Sequence, residues 1–262
     1  MAGKERIDVL LVKRGLADSR SLAQRLVMAG QVRVAGERVA KPSEQVPIEA
    51  AITVEGGPRY VSRGGEKLEA ALSAFPLRVD GRVCADVGAS TGGFTDCLLQ
   101  HGAARVFAID VGEGILHWRL RGDPRVVVME GRNARHLTGL PEPVGLATVD
   151  AAFISLRILL PVIAAWLEKD GDVVALIKPQ FEAGRQAVGR GGVVRKPEVH
   201  RQVLTDVLAA AQAAGLAPAG LIRSPLTGPK GNVEFLLWSR RGGRAADAGA
   251  LVDAVVPSPA SA

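Results

Sequence analysis

Cysteine is nearly absent from this chain: its 262 residues include two, Cys84 within an apolar run and Cys97 in the segment that follows. That excludes a disulfide framework, and without paired Cys or His at metal-ligand spacing no metal is expected. The two thiols read as buried and free, in keeping with a reducing cytoplasm. Long apolar runs are missing too. No stretch approaches the roughly twenty residues of a membrane span, and the N-terminus has no signal-peptide core, so a cytoplasmic protein without membrane association is expected. Acidic residues are in deficit, 27 Asp and Glu against 33 Lys and Arg, for a formal net charge of +6 and a pI near 9.7. Such an excess favours a polyanionic partner, nucleic acid first and an anionic membrane second. With 47% hydrophobic residues, the chain has enough apolar side chains for one sizeable domain and a small one.

The most informative stretch is Val83-Cys-Ala-Asp-Val-Gly-Ala-Ser-Thr-Gly-Gly-Phe-Thr-Asp96, followed by Val106-Phe-Ala-Ile-Asp110. An apolar run that ends in small residues and resumes as a helix is a strand-loop-helix nucleotide site. Gly88, Gly92 and Gly93 let backbone approach a ligand, and Asp110 lies about twenty residues on, where such folds hold a ribose. The Gly-x-x-x-Gly-Gly spacing fits S-adenosylmethionine better than a dinucleotide. Further strands are expected at 82–87, 105–110, 126–130, 148–153 and 172–177, with helices over 155–167 and 198–214. That alternation predicts an α/β, doubly wound sheet closed by a hairpin of 221–224 and 233–238.

Ahead of this domain, apolar positions Ile7, Leu10 and Leu11, then Leu22, Leu26 and Val27, predict two short helices, the second capped by Asp18 or Ser19. A hairpin of 31–34 and 38–40 completes a small α+β module. Residues 1–62 carry ten Lys and Arg against seven Asp and Glu, half of the chain's excess charge. The run from Arg6 to Arg20, with Gly30-Gln-Val-Arg-Val and Gly36-Glu-Arg-Val, resembles the RNA-binding module named after small-subunit ribosomal protein four. Lys13, Arg14, Arg20 and Arg25, with Arg6, are its candidate phosphate contacts. The expected boundaries are 1–58 for this module, 59–64 for a linker, 65–242 for the larger domain and 243–262 for a structureless tail. The basic, Gly-rich stretch 184–196, with Arg185 and Arg190, reads as a mobile loop over the site that could hold RNA phosphate.

Four ionisable residues fall at element ends that would converge above the sheet: Lys67, Asp150, Lys178 and Glu234. A lysine after Val-Val-Ala-Leu-Ile and before Pro179 is poised to take a proton from a ribose hydroxyl if desolvation and a second lysine favour its neutral amine. The segments Ser62-Arg-Gly-Gly-Glu-Lys-Leu, Asp86-Val-Gly-Ala-Ser-Thr-Gly-Gly-Phe-Thr-Asp, Asp150-Ala-Ala-Phe-Ile-Ser-Leu, Ile177-Lys-Pro-Gln-Phe-Glu and Gly231-Asn-Val-Glu-Phe together resemble the TlyA family, hemolysin A-like rRNA methyltransferases with an FtsJ-like domain. The resemblance implies methylation of cytidine 2'-hydroxyls in rRNA of ribosomal subunits, with S-adenosylmethionine as cofactor, by a protein acting as a monomer. It implies a catalytic set of Lys67, Asp150, Lys178 and Glu234. It places the cofactor on Asp86, Gly88, Ala89, Ser90, Thr91, Gly92, Gly93, Phe94 and Asp110, with Glu130 to Asn133 near the adenine and Phe153 against cofactor or base, and it adds Arg63 to the RNA contacts. A Trp expected in the family's linker is Tyr60 here. The family's other name suggests membrane lysis, which the lack of an inserting segment disfavours, and a catalytically silent RNA-binding protein is the other alternative, which the intact tetrad and Gly loop disfavour.

Overall fold

The computed structural model describes residues 3–56, 59–184 and 187–256. Its backbone packing divides the chain into two units, Met1–Arg59 and Tyr60–Ala262.

In the first unit, β1 (Lys4–Arg6) leads into α1 (Ile7–Lys13) and α2 (Arg20–Met28), and the Ser19 hydroxyl caps α2 by accepting from Leu22 N. The strands β2 (Val32–Val34), β3 (Glu37–Arg38), β4 (Gln45–Pro47) and β5 (Ile52–Val54) follow. Pairing of β1 with β4 and the order β3-β2-β5 close the unit around Ile7, Leu10, Leu11, Leu26 and Val32. Asp8 is fully buried yet ionised: Arg6, Arg20 and Gln24 all donate to it, and the Arg6 guanidinium holds the carboxyl well below the usual range.

The second unit runs α3 (Gly64–Ala74), β6 (Val83–Val87), α4 (Gly93–Gln100), β7 (Arg105–Ile109), α5 (Trp118–Arg121), β8 (Val126–Met129), β9 (Val144–Val149) and α6 (Leu156–Trp166). It continues with β10 (Leu167–Ile177), α7 (Pro179–Glu182), α8 (Pro197–Ala213), β11 (Leu216–Arg223), β12 (Phe235–Arg241) and α9 (Ala248–Val255). The sheet order is β11-β12-β10-β9-β6-β7-β8, with β12 antiparallel to both of its neighbours. Helices α3, α4 and α5 bury Leu68, Leu98 and Leu120 on one face, while α6, α8 and α9 bury Leu160, Leu204 and Val252 on the other. The doubly wound reading therefore holds. Chain order reverses between β6 and β9, the switch point at which such sheets bind ligands.

Three local expectations change. Strand β9 ends at Val149, so Asp150 to Phe153 leave the sheet as irregular backbone. The tail is not structureless throughout: Asp247 caps α9, and Val252 and Val256 are buried. Its Ala-, Pro- and Ser-rich composition hid apolar positions at helical spacing, which pack because α8 and β11 offer a surface. Finally, Tyr60, expected in the linker 59–64, packs into the second unit. It is 3% exposed, its hydroxyl donates to Glu69 at 2.6 Å, and its ring fills the space where a Cβ on Gly65 would sit.

Candidate active site

Beyond the carboxyl ends of β6, β7, β9 and β10 lies a cavity of about 1020 Å³ whose described walls come from the second unit. Its floor is the loop after β6. Gly88 has φ +83°, and a Cβ there would stand 2.7 Å from the Asp150 carbonyl oxygen, so only glycine lets this loop lie against the Asp150 backbone. Ser90 N and Gly112 N each donate to Asp110 at 2.8 Å, one to each carboxylate oxygen. Asp110 thereby joins the two loops and keeps lone pairs facing the cavity. Ala89, Thr91, Gly93 and Phe94 complete the floor, and Asn133, whose side chain caps the short turn Ala134–His136, stands on the wall.

Lys67 from α3, Asp150 after β9, Lys178 after β10 and Glu234 before β12 all line this space. They form two ion pairs. Lys67 Nζ donates to Glu234 Oε2 at 2.6 Å, and Lys178 Nζ lies 2.5 Å from Asp150 Oδ1 and 3.3 Å from the Asp150 carbonyl oxygen. The close Oδ1 contact is electrostatic rather than a well-aligned hydrogen bond, so Asp150 Oδ1 retains accepting capacity. Both lysine side chains are 12% exposed, which confines their ammonium groups to the cavity wall. Phe153, φ +63° and 91% exposed, stands at the rim with its ring centroid 5.1 Å from that of Phe181.

Several residues expected at the cofactor do not line this cavity. Asp86 is fully buried behind the loop, where Thr95 Oγ1 at 2.7 Å and Thr148 Oγ1 at 3.3 Å donate to it, so it shapes the loop from beneath. Gly92 points away from the cavity toward Leu120, whose Cδ1 would be 2.1 Å from an added Cβ. Glu130 accepts from Arg121 and from the backbone N–H groups of Gly114, Ile115 and Leu116; Arg121 first and the Leu116 and Gly114 amides after it hold its carboxyl down at about 2, and it builds the adjoining loop without lining the cavity. In the stretch 187–196, the described side chains do not line the cavity. Asn232 ties it down, accepting from Val194 N and donating to Gly192 O, both at 2.9 Å, so its described residues are anchored rather than draped over the site.

Burial pushes Asp86 up to about 7, with Thr95 opposing the shift and the nearby Asp150 charge adding to it. An unfolded Asp titrates near 3.9, so between about 4 and 7 the folded chain binds more protons than the unfolded one. Stability is therefore expected to fall as pH rises through that window and to level above it. In Asp86→Asn, whose amide can satisfy both threonine hydroxyls, that slope should flatten in urea titrations run from pH 4 to 8. An unchanged slope would assign the dependence to other groups.

Of the candidate RNA contacts, Arg63 stands at the start of α3 on the cavity wall. Arg6 and Arg20 are engaged with Asp8, Lys13 with Glu5 at 2.5 Å and Arg25 with Ser21 at 3.0 Å, while Arg14 donates to the Ile48 and Ala50 carbonyls of its own unit. Arg190 begins a short 3-10 turn, and Arg185 lies outside the described residues. Sequence reasoning missed Thr95 and Thr148 as the partners of Asp86. It also missed Thr227 and Pro229 on the wall, signalled by the Gly-Pro-Lys-Gly turn before Glu234.

The family model for FtsJ-like methyltransferase matches residues 60–241, and that for the S4 domain matches residues 5–52. The chain belongs to the FtsJ-like methyltransferase family. Within it, YqxC of Bacillus subtilis, described as a candidate rRNA methyltransferase, is 52% identical over 241 residues, covering 89% of this chain and 85% of its own. The 16S/23S rRNA (cytidine-2'-O)-methyltransferase TlyA of Mycobacterium tuberculosis is 48% identical, covering 97% of each chain. A solved hemolysin candidate from Streptococcus thermophilus superposes with a TM-score of 0.73 at 44% identity, covering 98% of this chain and 95% of its own. No helix among the described residues is long and apolar enough to cross a membrane.

Proposed function

We propose that this chain methylates the ribose 2'-hydroxyl of cytidine in ribosomal RNA, with S-adenosylmethionine as methyl donor. The observation that carries the reading is the pairing of Lys178 with Asp150 and of Lys67 with Glu234 on the wall of one cavity beside the Gly88 loop. The residues present fit the donor: a loop that a Cβ would block, two-sided Asp110 oxygens for ribose hydroxyls and an apolar wall around Ile115.

When bound, S-adenosylmethionine would supply an electrophilic methyl and a thioether leaving group. Asp150 would orient Lys178, and the Lys178 amine would take the proton of the 2'-hydroxyl. Glu234 holds Lys67, whose ammonium donates to the attacking oxygen and aligns it. Phe153, exposed at the rim beside Phe181, offers a stacking face to the cytosine. Lys13, Arg25 and Arg63 would carry backbone contacts of the RNA, while Arg6, Arg14 and Arg20 chiefly hold the first unit together. The relatives named as rRNA methyltransferases support the same substrate class.

The test is transfer of labelled methyl from S-adenosylmethionine into purified ribosomal subunits, with the product mapped as an alkali-resistant linkage 3' to a cytidine. Label on a base, or none in either subunit, would overturn the assignment.

A further inference from the structure

On the side of α3 and α4 away from the lysine pairs, Glu69, Cys97 and His101 bring a carboxylate oxygen, a sulfur and a ring nitrogen within 4.8 Å of one another. Cys97 and His101 are four residues apart on the helical path at the end of α4, which puts both side chains on one face, and α3 presents Glu69 to them. His101 Nε2 is 2.7 Å and Cys97 Sγ 3.9 Å from the same oxygen, Glu69 Oε2, to which the Tyr60 hydroxyl also donates at 2.6 Å. Cys97 is fully buried, whereas the Glu69 and His101 side chains are 23% and 34% exposed, so the group opens to solvent through its nitrogen and oxygen ligands.

We propose that Glu69, Cys97 and His101 form a binding site for a borderline divalent cation of the zinc class. Mixed sulfur, nitrogen and oxygen ligands select Zn²⁺ or Co²⁺ over Mg²⁺ and Ca²⁺, which want oxygen alone. A tetrahedral ion with bonds of about 2.0–2.3 Å needs ligand atoms roughly 3.3–3.7 Å apart. The sulfur–oxygen distance must close slightly and the nitrogen–oxygen distance open, and rotation of the partly exposed Glu69 and His101 side chains can do both. A thiolate and a carboxylate neutralise the ion, which makes burial beside Cys97 tolerable. The Tyr60 hydroxyl, already at Glu69 Oε2, either takes the fourth position or orients the carboxylate from outside.

The full-length protein, stripped with chelator, is titrated with Co²⁺ while the thiolate-to-metal absorption band is followed, and with Zn²⁺ by calorimetry. One equivalent of Co²⁺ should give the band, and Zn²⁺ should abolish it. Cys97→Ser should lose the band, and His101→Gln and Glu69→Gln should weaken Zn²⁺ binding by about tenfold or more. Cys84→Ser and His136→Gln should change neither reading. Absence of a one-site isotherm and band in the unaltered protein would overturn the proposal. So would equal affinity in His101→Gln and Glu69→Gln, both of which keep the buried sulfur and are judged folded by circular dichroism.

Discussion

Lys178→Ala is expected to lower methyl transfer by about 10²–10⁴-fold while leaving S-adenosylmethionine affinity unchanged. The side chain meets Asp150 and lines the cavity but takes no part in the backbone cradle of Gly88, Ser90 and Asp110. Truncation removes the proton acceptor and leaves that cradle in place. Lys178→Arg separates charge from basicity, because a guanidinium can pair with Asp150 yet does not deprotonate in a protein. Both variants should be inactive in single-turnover assays with bound cofactor. Activity in Lys178→Arg close to that of the unaltered enzyme would move the base elsewhere.

Gly88→Ala is expected to abolish cofactor binding and, with it, transfer. A Cβ would meet only backbone, 2.7 Å from the Asp150 oxygen, 2.9 Å from its carbonyl carbon and 3.1 Å from Ala151 Cα, so no side-chain rotation relieves the clash. Either the loop lifts away from the floor or Asp150 is displaced and its pairing with Lys178 lost. Gly81→Ala is the matched control: φ is +73° there and nothing lies within 4 Å of an added Cβ, so it isolates the left-handed strain of about 1–2 kcal/mol. Calorimetric titration with S-adenosylmethionine should detect no binding to Gly88→Ala and normal binding to Gly81→Ala. Equal affinities would mean that the loop has slack the structure denies.

Much of the site was legible in local pattern. The loop glycines, Asp110 and the lysine after an apolar strand are chemistry-bearing residues at element ends, and strand ends are where a doubly wound sheet exposes side chains. The expected residues that do not line the cavity share one cause. Asp86, Gly92 and Glu130 belong to the same motifs as residues on the cavity wall, but alternation along a strand and the turn into a helix direct them away from the cavity. A motif in sequence does not separate the side chains that meet a ligand from those that hold the loop in shape.

The sequence by itself determined the two modules, the parallel sheet with its antiparallel closing strand and the strand-end placement of Asp150 and Lys178, because periodicity and strand-end position are local properties. Only the tertiary structure decided which lysine pairs with which carboxylate, with Lys67 meeting Glu234 from 167 residues away. It also turned the Ala-rich tail into α9 and gathered Glu69, Cys97 and His101 on two facing helices. Such outcomes depend on which surfaces the sheet brings together, and that information is spread over the whole chain.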